Sequence, residues 1–109
     1  MPKKKKPKMI KAVVKLPEKD PYMAQISADP DDMRELLGGY IDEIEICTDL
    51  LLLCDEDGIT KGRPYNFRFG SVDLAGTVVF VGEKNDDWTD IPLSYSEFKN
   101  MFSNLFSEV

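Results

Sequence analysis

The side chains best suited to chemistry gather in one short stretch, Lys61-Gly62-Arg63-Pro64-Tyr65-Asn66-Phe67-Arg68. Lys61, Arg63 and Arg68 are half of the six basic residues beyond position 19. Guanidinium groups grip phosphates bidentately, and aromatic rings set between them offer faces on which a base can stack. Asn66 could read a base edge or a carbonyl. With Asp73 added, Lys61, Arg63, Tyr65, Asn66 and Arg68 form a candidate site for an anionic ligand such as a nucleotide. A plainer alternative stands beside it. Arg63 and Arg68 would neutralise nearby acids such as Asp55 and Asp73, while Tyr65 and Phe67 close the core.

The acids offer a second candidate. Asp42, Glu43, Glu45, Asp55, Glu56 and Asp57 could present a negative surface to a basic partner, in the manner of a nucleic-acid mimic. The segment Asp55-Glu56-Asp57-Gly58 does not make a calcium loop of the EF-hand kind. Setting Asp57-Gly58 at the fifth and sixth loop positions puts Leu53 first and Pro64 last, where carboxylates are needed. It reads as an ordinary acidic turn.

Much chemistry is excluded. The chain has no histidine, so Ser-His and Cys-His pairs and histidine zinc sites are absent. No phosphate-cradling glycine motif occurs. Paired carboxylates leave a small hydrolase as a formal alternative, but the expectation is a non-enzyme without cofactor or metal. Cys47 and Cys54 lack C-x-x-C spacing and suit two small core residues in a reducing compartment.

Charge divides the chain. Residues 1–19 hold eight lysines and one acid, a charge of +7. The rest holds six basic and 19 acidic residues, a charge of −13. Nucleic acid should be repelled by such a body, except through the basic arm at 1–8. Prolines and like charges predict disorder for that arm, leaving a single domain over 9–109. No apolar run reaches the roughly 18 residues needed to cross a bilayer, so no membrane role is expected. The basic start is not followed by the apolar stretch of a secretion signal, and the expected location is the cytoplasm.

Periodicity supplies the elements that must position these residues. Strands are predicted at 9–16, 22–27, 40–46, 50–54 and 72–81, with a short one within 88–93. Gly76 should mark a bulge. Leu50–Cys54 is apolar throughout, as in a strand covered on both faces. Residues 59–70 form a long loop. Asp29 caps a helix over 30–37, with Pro30 at its first position and Gly38 as its stop. Ser94 and Glu97 form a capping box before an amphipathic helix over 95–106. The expected fold is α+β: a mostly antiparallel sheet of five or six strands with both helices packed on one face.

The order Gly38-Gly39-Tyr40-Ile41, then Asp57-Gly58, Lys61-Gly62, Pro64 with Asn66, and Asp73-x-x-Gly76-Thr77 resembles a family catalogued as domain of unknown function 3846. The resemblance runs from about Met9 to Val81, with the C-terminal helix agreeing more loosely. In the family arginine often follows the asparagine; here Phe67 intervenes before Arg68. The resemblance implies a small α+β protein of bacterial cytoplasm, carried by phages or mobile elements. It carries no catalytic residues. By analogy it implies an accessory protein that binds and sequesters or blocks a host component, an anti-defence protein among the possibilities.

Overall fold

The computed structural model describes residues 8–106; of the basic arm, residues 1–7 lie outside the described residues. Eight strands and two helices follow in the order β1 (Met9–Lys15), β2 (Tyr22–Ser27), α1 (Pro30–Leu37), β3 (Ile41–Cys47), β4 (Leu50–Asp55), β5 (Tyr65–Phe69), β6 (Val72–Ala75), β7 (Val78–Lys84), β8 (Asp87–Thr89) and α2 (Tyr95–Phe106). The main sheet is antiparallel throughout, in the order β2-β1-β7-β4-β3, with β8 added to β7. β5 and β6 pair as a separate hairpin. The fold is α+β, as the residue pattern predicts.

β4 explains the architecture. Every residue from Leu50 to Asp55 is buried, and strand side chains alternate between faces. Leu50, Leu52 and Cys54 join one core with Val13, Val78, Phe80 and the α2 residues Phe98 and Phe102. Leu51 and Leu53 join a second core with Ile10, Val14, Val79, Val81 and the α1 residues Met33 and Leu37. A strand apolar on both faces needs cover on both. The helices, expected on one face, therefore lie on opposite faces. Phe67 and Leu74 of the β5–β6 hairpin complete the α2 side, where Phe80 meets Phe98 edge-on at 4.8 Å between ring centroids.

Local chemistry sets the ends of the helices. The Asp29 carboxylate accepts hydrogen bonds from the amides of Asp31 and Asp32, and Gly38 closes α1 in the left-handed conformation at φ 88°. Ser94 and Glu97 exchange amide hydrogen bonds at the start of α2, at 2.8 and 3.1 Å, a reciprocal cap.

Two further expectations change. The supposed loop at 59–70 contains β5, so only its first part is irregular. The strand expected over 72–81 is two strands, broken at Gly76, whose φ of 83° turns the chain from the hairpin into the main sheet. β7 runs on to Lys84, and Asn85 and Asp86, both at positive φ, turn the chain into β8. No helix among the described residues is long and apolar enough to cross a membrane.

Candidate functional site

The residues singled out by sequence fall into a buried clasp, a bulge, an exposed triad and an acidic face. The clasp centres on Asp55, the last residue of β4. Its side chain is fully buried, whereas the sequence placed it on a negative surface for a partner. Its register opposite Ile41 brings it to the C-terminal end of α1. Oδ2 accepts from Lys61 Nζ at 2.9 Å and from Arg63 Nε at 2.9 Å, and Oδ1 accepts from the Asp57 amide at 2.9 Å. Burial pushes the Asp55 carboxyl up, but the hydrogen bonds from Lys61, the Asp57 amide and Arg63 outweigh it and hold it below the usual carboxylate range.

The same two cations also cap the helix. Lys61 Nζ donates to the Gly38 carbonyl at 3.1 Å and Arg63 Nη2 donates to it at 2.7 Å. Cations at a helix C-terminus meet unsatisfied carbonyls and the negative end of the dipole. The glycines make room for this. A Cβ on Gly38 would sit 2.6 Å from Arg63 Nη2, and one on Gly39 would sit 2.5 Å from both Asp55 Oδ1 and Lys61 Nζ. The separated motifs Gly38-Gly39, Asp57-Gly58, Lys61 and Gly76 thus meet at one point in space.

Asn66 occupies the bulge where the β5–β6 register shifts between Tyr65 and Phe67, and a bulge re-aims a side chain. Its Nδ2 donates to the carbonyls of Lys15 and Gly76 at 2.7 and 2.8 Å, while Oδ1 accepts from Lys15 Nζ at 3.1 Å. Asn66 does read carbonyls, but those of its own chain. Lys15 is buried, and desolvation lowers its ammonium pKa against a smaller upward pull from Asp20.

Tyr65, Arg68 and Asp73 form the exposed triad on the hairpin. Arg68 grips Asp73 with two hydrogen bonds, at 2.9 and 3.1 Å. The Tyr65 hydroxyl lies 3.5 Å from Asp73 Oδ1. Phe67 is in the core as the plainer alternative has it; Tyr65 is 55% exposed and closes nothing.

Of the remaining acids, Asp42, Glu43, Glu45, Glu56 and Asp57 are exposed. Glu43 accepts from Trp88 Nε1 at 2.8 Å. Desolvation, followed by repulsion from Asp86, Glu43, Glu45 and Asp49, pushes the Glu83 carboxyl up. That crowd of carboxylates spans β3, β7 and two turns. Only Glu43 and Glu45 of the five belong to the sequence's acidic candidates. Glu83, Asp49 and Asp86 were missed because strand order, which no local pattern reveals, makes them neighbours. Among the described residues no group of three or more acids or cysteines is placed to hold a metal ion.

One open pocket borders the clasp, with a volume of ≈ 370 Å³, lined by Arg34, Gly39, Tyr40, Asp57 and Lys61. Tyr40 stands 70% exposed in its wall, and Arg34 is paired with Asp31. Lys61 is the single member of the sequence-derived ligand site that reaches this pocket. The sequence pattern put Tyr40 at the start of a strand, whereas β3 begins at Ile41 and leaves Tyr40 outside it.

Comparison with curated proteins and with solved structures returns no match. A family model covers nearly all of the described chain, residues 10–103. The protein belongs to the family described as Domain of unknown function (DUF3846).

Proposed function

We propose that the protein is a non-enzymatic binding module whose acidic face, built from Glu43, Glu45, Asp49, Glu83 and Asp86, engages a basic partner protein. The observation that carries this is the crowding at Glu83. β3 and β7 flank β4, and the Glu83 amide donates to the Asp49 carbonyl at 3.1 Å. Desolvation first, and then repulsion from Asp86, Glu43, Glu45 and Asp49, raises the Glu83 carboxyl, on a chain of net charge −6. The three cations of the 61–68 stretch, by contrast, are each engaged with a carboxylate of the same chain. In a phage or mobile-element setting, such a module would sequester or block a host component in the bacterial cytoplasm.

The test is a salt series with a defined polylysine probe. Affinity should fall steeply as ionic strength rises, because exposed charges are screened beyond about 8–10 Å near physiological salt. Replacing Glu43, Glu45 and Glu83 together by glutamine should weaken binding by about tenfold and flatten the salt slope. The same treatment of Asp42, Glu56 and Asp57 should do less. Equal losses from both triples, or capture indifferent to salt, would remove this reading.

The pocket beside Tyr40 favours a second reading: a small anionic ligand such as a nucleotide, with its base against Tyr40 and its phosphate toward Arg34 and Lys61. A ligand that binds the folded state raises Tm by mass action. A panel of nucleoside phosphates should then produce a rise that Tyr40→Ala and Arg34→Ala both abolish. A flat response across the panel rejects it.

A further inference from the structure

The two edges of the main sheet are built differently. β3, at one edge, carries Asp42, Glu43 and Glu45, and its register with β4 shifts between Glu45 and Cys47. Charges and a bulge blunt an edge against further pairing. β2, at the other edge, reads Tyr22-Met23-Ala24-Gln25-Ile26-Ser27, with no charged residue and no proline. It pairs with β1 over six consecutive residues without a shift. Among the described residues β1 is its sole strand partner, so its outer row of amides and carbonyls faces away from the sheet.

The side chains of this edge are also unfinished. Met23 packs partly against the α2-side core, while Ala24 and Ile26 pack partly against the α1-side core. None of the three is fully buried. Tyr22 is 46% exposed, and Met9 on the adjoining strand is 50% exposed. One more strand would cover apolar rims on both faces at once.

Charge at the ends selects the occupant. Glu18 and Asp20 lie just before β2, and Asp29, Asp31 and Asp32 lie just after it; Lys19 and Arg34, the latter paired with Asp31, offset two of these five acids and leave both flanks negative. A second copy pairing antiparallel would bring these acids toward each other. We infer that the β2 edge accepts an extended segment of a basic partner, added as an antiparallel or parallel strand, uncharged in its centre and flanked by lysine or arginine. The backbone ladder would supply affinity, and the flanking charges would supply selectivity. This inference does not rest on the acidic face of β3 and β7.

The experiment uses the full chain and a labelled peptide with a central Thr-Val repeat and two lysines at each end. The peptide should bind, and its counterpart with glutamates at the ends should bind about tenfold more weakly at low salt. N-methylation of alternate backbone amides along one edge of the peptide should abolish binding. Ala24→Pro and Gln25→Pro provide the second arm. Neighbouring strand amides point in opposite directions, so one proline removes a bond to β1 and the other removes an outward donor. The variant that keeps its Tm should lose the peptide. Peptide affinity retained by that variant, or undiminished by N-methylation, would overturn the inference. So would self-association of the chain that the same proline suppresses, because the occupant would then be a second copy.

Discussion

The buried clasp and the exposed triad use the same chemistry to different ends. Each sets an arginine against an aspartate at 2.9 Å. In the clasp the Asp55 side chain is 0% exposed, and its two cations are 39% and 35% exposed. In the triad Arg68 and Asp73 are 59% and 42% exposed. A carboxylate removed from water must have all its acceptor sites answered, and losing an answer costs the desolvation of what remains. A carboxylate at the surface exchanges its partner for water at little cost. An ion pair's length therefore says little about its weight; the solvent around it says more.

Removal of the two carboxylates exposes that difference most directly. Asp55→Ala should lower unfolding stability by roughly 2–3 kcal/mol in urea, less than a fully enclosed pair would lose because Lys61 and Arg63 can turn to water. Asp73→Ala should leave the urea midpoint within the reproducibility of the measurement. Comparable losses from both would mean that burial does not separate the two regions.

A smaller effect is expected at the glycine that admits the clasp. Gly38→Ala forces a side chain into a left-handed conformation at φ 88° and against the Arg63 guanidinium, and should cost about 1–2 kcal/mol by thermal unfolding. Gly70→Ala makes a useful contrast. Its φ is also positive, at 62°, but no atom lies within 4 Å of the added carbon. It should lose only the conformational part.

Acid gives a third contrast. The folded Asp55 carboxyl lies below its unfolded value of about 3.9. The unfolded chain thus takes up the proton first, so the contribution is complete above that value and is lost as pH falls through it toward the folded pKa. Asp55→Asn should flatten the fall in stability below about pH 5. Asp73 is also lowered, chiefly by its Arg68 hydrogen bond, but Asp73→Asn should leave the acid limb nearly unchanged. The smallest effect concerns salt. Raising ionic strength should erase any residual coupling between Arg68 and Asp73 in a double-mutant cycle while sparing that between Arg63 and Asp55.

Local signals were legible where they act locally. Asp29, Pro30 and Gly38 marked both ends of α1, and the Ser94–Glu97 cap marked the start of α2. The all-apolar Leu50–Cys54 marked a doubly covered strand, yet which helix covers which face depends on strand order. The β5–β6 hairpin stayed hidden because Pro64, Asn66 and Gly70 carry loop character, and Asn66 spends it within a bulge. Asp55 was misplaced for a related reason. Asp55, Glu56 and Asp57 look alike in sequence, but only Asp55 still lies in the strand, facing the end of α1. The glycines at 38 and 39 and the cations Lys61 and Arg63 were visible, whereas their convergence on the Asp55 carboxylate was not.

Trp88 is the chain's single tryptophan, and its indole donates to Glu43 at the margin of the acidic face. Intrinsic fluorescence from this molecule therefore comes from one indole in one electrostatic setting. A partner that claims Glu43 would break the indole's hydrogen bond and displace nearby water, shifting the emission maximum without any attached dye. Docking along the far edge of the sheet would leave that emission untouched, so a single optical titration can tell the two faces apart.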